Sequence, residues 1–118
     1  MPRILLAEDD DSLRGFLTRA LERAGYEVTP CADGEEAVAV LDQTWDLLLT
    51  DIVMPGMDGI EVARIAAARQ PGLRIMFITG VAAVVMREES WLSNRPRVLA
   101  KPFHLRHLIE EIEALLLE

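Results

Sequence analysis

The chain has a single cysteine, Cys31, among its 118 residues. An internal disulfide is therefore impossible, and a reducing compartment such as the cytoplasm suits the protein. Cys31 itself reads as a small strand residue rather than a nucleophile. Aromatic residues are only 5% of the chain, so its core must be aliphatic. No apolar run approaches the roughly 20 residues that a bilayer-spanning helix requires. The longest runs, around Asp46–Thr50 and Ile75–Ile78, have the length of strands. The start, Met1-Pro2-Arg3-Ile4, lacks the charged, apolar and small-residue order of a secretion signal. Basic residues are outnumbered, 12 against 20 acidic, for a formal charge of −8. Binding a duplex against that background needs a local basic stripe, and neither a stripe nor a helix-turn-helix segment is present. Direct nucleic-acid binding is not expected. Repeats, low-complexity tracts and linkers are also absent, so residues 1–118 are expected to form one domain with no output domain attached.

What is present is an alternation of strand-like and helical patterns. Ile4-Leu5-Leu6-Ala7 has strand length, and Leu13, Phe16, Leu17, Ala20, Leu21 and Ala24 follow the spacing of one buried helix face. Asp10, Asp11 and Ser12 are N-cap candidates for that helix, with Gly25 as its stop. Glu27–Cys31 reads as a second strand, placed at a sheet edge because Pro30 cannot donate a ladder hydrogen bond. A short helix over 35–41 and a strand from Leu47 to Thr50, ending at Asp51, come next. The turn-rich Met54-Pro55-Gly56-Met57-Asp58-Gly59 leads to a helix over 60–69, and Arg74–Thr79 is a fourth strand. A helix is expected early in 81–96 and a loop over 93–96. Arg97–Ala100 forms a fifth strand, and the last helix places Leu105, Leu108, Ile109, Ile112, Leu115 and Leu116 on one face. Alternating strands and helices of this kind imply an α/β fold, a doubly wound parallel sheet covered on both faces.

In such sheets ligands bind beyond the carboxyl ends of the strands. The first strand is followed by Glu8, Asp9, Asp10 and Asp11, and the third by Asp51; the fourth ends at Thr79 and the fifth is followed by Lys101. Glu8, Asp9 and Asp51 thus converge as carboxylates. Two like charges about 4 Å apart repel by roughly 4 kcal/mol at an effective dielectric near 20, so the cluster calls for a cation. Hard oxygen ligands with room for water suit Mg²⁺. Lys101 adds a fixed positive charge and Thr79 a hydroxyl, a set matched to a phosphoryl group, with Asp51 as nucleophile.

At these residues the sequence resembles response-regulator receiver domains. The matching pieces are Ile4-Leu5-Leu6-Ala7-Glu8-Asp9-Asp10, Leu49-Thr50-Asp51 through Met54-Pro55-Gly56-Met57-Asp58-Gly59, Ile78-Thr79-Gly80 and Lys101-Pro102-Phe103. The resemblance implies a five-stranded, flavodoxin-like sheet of order 2-1-3-4-5. It implies that Asp51 is the phosphoacceptor, that Glu8, Asp9 and the Val53 backbone carbonyl join Asp51 on Mg²⁺, that Thr79 is the switch hydroxyl and that Lys101 contacts the phosphoryl group. A cis Lys101-Pro102 bond is also implied. The implied partners are a histidine kinase or histidine phosphotransfer protein upstream and a protein target downstream. The runs Phe77–Val84 and Lys101–Arg106 are most similar to single-domain members that help a ClpXP-type protease engage its targets. Two departures stand out. Glu8 replaces the commoner aspartate, and Val98 occupies a position where many members carry an aromatic switch residue. Apolar Val53 and Val81, each two residues past a site residue, are expected to hinder the water that removes the phosphoryl group.

Several residues carry plainer readings. Asp10, Asp11 and Asp58 read as helix caps, His104 and His107 as surface residues, and Met54 and Met57 as loop packing. Trp91 either covers the core or faces a partner. Arg95, Arg97, Arg106 and His107 form either a solvated face or a docking surface. Among other functions, a flavin carrier is disfavoured because Glu8–Asp11 would repel the flavin phosphate. A phosphatase with an aspartyl intermediate lacks its second aspartate, replaced here by Val53. A turnover enzyme is therefore not expected. A non-phosphorylated binding module remains as the alternative.

Overall fold

The computed structural model describes residues 1–80 and 96–118. The expectations for a helix early in 81–96, for the loop over 93–96 and for Val81, Trp91 and Arg95 lie outside the described residues. In chain order the elements are β1 (Arg3–Ala7), α1 (Asp11–Arg23), β2 (Glu27–Cys31), α2 (Gly34–Ala39), β3 (Leu47–Asp51), α3 (Gly59–Arg69), β4 (Arg74–Thr79), β5 (Arg97–Ala100) and a C-terminal helix, α4 (Leu105–Leu116). The strands form one parallel sheet in the order β2-β1-β3-β4-β5. The expected order therefore holds, and Pro30 lies on an edge strand opposite Leu6. There its missing N–H costs no ladder bond to a further strand.

Side chains alternate across a strand, so each central strand feeds two cores. Leu5, Ala7, Leu48, Ile75 and Phe77 pack with α2 and α3 on one face. Ile4, Leu6, Leu47, Leu49, Met76 and Ile78 pack with α1 and α4 on the other. The helices start where short polar side chains satisfy their first N–H groups. Asp10 accepts from the Leu13 N–H at 2.9 Å, Asp33 from Glu36 at 2.8 Å and Asp58 from Glu61 at 2.9 Å. Asp10, not Asp11 or Ser12, is thus the cap of α1. Gly25, with φ +101°, turns the chain just past its end.

One helix range and one buried face differ from expectation. α2 runs over Gly34–Ala39 instead of 35–41. Beyond it the chain tightens into i→i+3 bonds, Leu41 N–H to Val38 and Gln43 N–H to Val40, and the Trp45 indole also donates to the Val40 carbonyl at 3.0 Å. The buried face of α1 is also narrower than the six apolar residues suggested. Leu17 and Leu21 are fully buried, but Phe16 is 46% exposed and Ala24 lies at the surface. Phe16 lines a groove between α1 and α4 rather than the core beneath.

Candidate functional site

Pairing register brings the polar residues to one edge. Ala7 pairs with Thr50, so the next residues, Glu8 and Asp51, lie level at the ends of β1 and β3. Asp51 pairs with Ile78 and Thr79 with Ala100, which sets Thr79 one residue and Lys101 two residues beyond the level of Asp51 at the same sheet edge. Glu8, Asp51 and Thr79 are buried, while Asp9 is exposed. One carboxylate oxygen from each of Glu8, Asp9 and Asp51 lies within 4.8 Å of the others. The Lys101 ammonium donates to Asp51 Oδ2 at 2.6 Å and stands 3.5 Å from Glu8 Oε1. The Lys101-Pro102 peptide is cis, as the resemblance implied.

Glu8 shows what this site still needs. Its Oε2 accepts from the Asp10 N–H at 3.0 Å, but its buried Oε1 has no hydrogen-bond partner. At 3.5 Å Lys101 acts on Oε1 as a charge, beyond the length of a good hydrogen bond. Burial, and after it the Asp51 charge, push the Glu8 carboxyl up to about 7 against the opposing effects of the Asp10 N–H and Lys101. Burial works to lower the Lys101 ammonium. Its bond to Asp51 and the two carboxylate charges override that and hold it above the ordinary lysine value. An orphaned, buried carboxylate oxygen facing two further carboxylates fits a hard divalent cation, and the all-oxygen donor set fits Mg²⁺.

Two residues not singled out from the sequence shape this edge. Arg14, on the first turn of α1, donates to the Glu8 carbonyl at 3.0 Å and to Asp11 at 2.6 Å, which ties the acidic loop to the helix. Gly59, the first residue of α3, lets that helix approach the strand end, because a Cβ there would come 1.9 Å from the Asp51 carbonyl oxygen. Arg14's only sequence signal was a basic residue one turn into a helix; Gly59's was its place in a turn-rich run.

Other expected residues fall as follows. The Val53 side chain is 64% exposed two residues past Asp51. Val98 is half-buried and packs against the core on the α2–α3 side. His104 and His107 are exposed, Met54 is buried and Met57 half-buried. Cys31 is buried in β2, where burial, with Glu36 and Asp33, pushes its thiol up to about 11 and away from reactivity. Arg97 pairs with Glu111 at 3.1 Å and with Glu118, so it is neutralised within its own chain. Arg106 and His107 stay at the surface. Among the described residues no helix is long and apolar enough to cross a membrane.

A family model for the response regulator receiver domain matches residues 4–113. The chain is 55% identical over 118 residues to the response regulator receiver protein CpdR of Brucella abortus, covering 99% of this chain and 98% of that protein. It is 35% identical over 101 residues to the uncharacterized transcriptional regulatory protein YrkP of Bacillus subtilis, covering 86% of this chain but only 43% of that longer relative. Among solved structures, the receiver domain of the hybrid histidine kinase CckA superposes with a TM-score of 0.83 at 34% identity, covering 97% of this chain and 98% of that one. The response regulator protein TrrA of Thermotoga maritima, crystallised with Mg²⁺ and BeF, superposes with a TM-score of 0.86 at 30% identity, covering 98% and 99%. Sequence and fold thus agree over nearly the full length, and the chain belongs to the response-regulator receiver domains of two-component systems.

Proposed function

We propose that the chain accepts a phosphoryl group from a phosphohistidine donor onto Asp51 and thereby switches its protein contacts. The observation that carries this reading is the Lys101 ammonium 2.6 Å from Asp51, opposite the Glu8 and Asp9 carboxylates. An Asp51 carboxylate oxygen attacks phosphorus in line; the P–N bond breaks, and the imidazole leaves with the electron pair and takes up a proton. Lys101 neutralises charge on the phosphoryl oxygens, and the Thr79 hydroxyl meets one of them once the group is seated. Glu8, Asp9, Asp51 and the Val53 carbonyl would hold Mg²⁺, which supplies charge neutralisation at the same oxygens. Each chain carries one acceptor and turns over no external substrate, which makes it a switch rather than an enzyme.

The donor is a histidine kinase or a histidine phosphotransfer protein, and the output is a protein, with neither nucleic acid nor membrane engaged directly. The 55% identity to CpdR supports a CpdR-type role, in which a single receiver domain in the cytoplasm adapts a ClpXP-type protease to its targets. Incubation with Mg²⁺ and a small acyl phosphate tests the central claim by intact mass. One phosphoryl adduct is expected on the wild type and none on Asp51→Ala; an unmodified wild type overturns the claim and leaves a non-phosphorylated binding module.

Val53 bears on how long the phosphoryl group stays. Its exposed side chain offers the attacking water no hydrogen bond at the rim of the site. Replacing Val53 and Val81 with polar residues is expected to speed loss of the adduct about tenfold, equivalent to about 1.4 kcal/mol of barrier. An unchanged decay rate by intact mass sinks this part.

A further inference from the structure

We propose that Arg14 is a positioning residue for the Mg²⁺ site: its guanidinium fork fixes the Glu8–Asp9 peptide and thereby aims both carboxylates at Asp51. This role, which rests on the function proposed above, falls to a residue whose own charge bars it from the metal. Glu8 is fully buried just past the end of β1, and its backbone is held from two sides. Its N–H donates to the Cys31 carbonyl of β2 at 3.1 Å, and its carbonyl accepts from Arg14 Nη1 at 3.0 Å. A peptide unit is planar, so a bond on the Glu8 carbonyl also fixes the N–H and Cα of Asp9. The directions in which both acidic side chains leave the backbone follow from that plane. Glu8 Oε2 is taken by the Asp10 N–H at 3.0 Å, which leaves Oε1 without a hydrogen bond beside the Asp9 and Asp51 carboxylates.

The other half of the fork explains why the residue is an arginine. Nη2 donates to Asp11 Oδ1 at 2.6 Å, so the planar group is clamped between a strand-end carbonyl and the first residue of α1. Its root is equally fixed. Fully buried Leu17 and Leu21 anchor α1, and the Arg14 N–H donates to the Asp10 carbonyl at 2.8 Å. The Asp11 side chain is 88% exposed, and an exposed ion pair of this kind adds little to stability. What the pair does is orient a guanidinium whose own side chain is only 22% exposed. Arg14 meets the acids through their backbone: burial, the Asp10 N–H, Asp51, Lys101 and Asp9 set the Glu8 carboxyl, and Arg14 is not among these influences. Charge and position then make opposite predictions. Removing a cation near three carboxylates tightens Mg²⁺ binding, whereas releasing the peptide that carries two of them loosens it.

Calorimetric titration of the full chain with MgCl₂ tests the assignment. Arg14→Met keeps the aliphatic stem and removes the fork, and is expected to weaken Mg²⁺ binding about tenfold or more. Arg14→Lys keeps the charge but reaches one partner at a time, and is expected to fall between the wild type and Arg14→Met. Asp11→Ala is expected to cost about twofold alone and nothing further beside Arg14→Met, since Asp11 works through the fork. At saturating Mg²⁺, phosphorylation of Arg14→Met by a small acyl phosphate is expected to return to within about twofold of the wild-type rate. Unchanged or tighter Mg²⁺ binding in Arg14→Met overturns the proposal, as does a rate that stays tenfold low at saturation. If Arg14→Met fails to fold, Arg14→Lys decides: wild-type Mg²⁺ affinity overturns the proposal and weaker binding supports it. A wild type that binds Mg²⁺ but takes no phosphoryl group overturns the function proposed above and leaves this comparison to the calorimeter. A wild type that binds no Mg²⁺ overturns both.

Discussion

Glu8 occupies a position where burial and charge oppose each other. In the unfolded chain its carboxyl titrates near 4.5, and in the folded protein without a cation near 7. The folded state therefore holds the proton more tightly. This group's stabilisation is fully present below pH about 4.5 and is lost as pH rises through about 7, with an upper bound of about 3 kcal/mol. Mg²⁺ held by Glu8 as proposed requires the carboxylate and so competes with that proton. Excess MgCl₂ is expected to raise Tm more at pH 8 than at pH 6, with a proton released on binding. Glu8→Gln is expected to flatten both pH dependences. Equal Mg²⁺ shifts at the two pH values would show that Glu8 does not titrate with the cation. The sequence placed Glu8 beside Asp9 and Asp51 but carried no sign of its unpartnered oxygen, because burial depends on the strands and helices packed around it.

Among the elements, the helix starts show how caps and ligands sit side by side without sharing a role. Asp10 lies two residues from Glu8, yet its side chain is spent on the Leu13 N–H at 2.9 Å. Asp10→Ala is expected to cost about 1 kcal/mol in urea unfolding, as for other N-caps, while Mg²⁺ affinity changes less than about twofold. A Mg²⁺ affinity lowered tenfold would make Asp10 a ligand instead. Strand positions were legible because Leu47–Leu49 and Ile75–Ile78 are unbroken apolar runs of strand length. The end of α2 was not, because Val40 and Leu41 continue the apolar pattern while the Trp45 indole and i→i+3 bonds take over the carbonyls. The outward turn of Phe16 was equally invisible. Periodicity marks which residues are apolar, not how far a neighbouring helix reaches over them.

At the scale of the whole molecule, the two ends of the sheet do different work. The carboxyl end holds the carboxylates and Lys101; the amino end is held by Arg3. That side chain pairs with Glu27 at 2.9 Å, donates to the Thr44 carbonyl at 2.8 Å and to Gln43 at 2.9 Å, and lies 4.4 Å from the Trp45 ring centroid. It thereby ties β1 to β2 and to the turn before β3, about 16 Å of strand away from Glu8. Arg3→Ala is expected to cost about 1–2 kcal/mol in urea unfolding, since the group is partly exposed, and to leave the rate of the proposed Asp51 phosphorylation unchanged. A phosphorylation rate lowered tenfold in the folded variant would show that the two ends are coupled.

The sequence alone determined the alternation of strands and helices, the edge position of β2 through Pro30 and the polar residue delivered after each inner strand. These are local properties: side-chain periodicity, a missing N–H, and a break from apolar to polar. Tertiary structure alone decided that Lys101 reaches Asp51 across 50 residues of chain, that Glu8 keeps one oxygen orphaned and that Arg14 and Gly59 brace the same edge. Strand register and helix approach set those distances. Both depend on how the two cores fill, which no single stretch of the chain encodes.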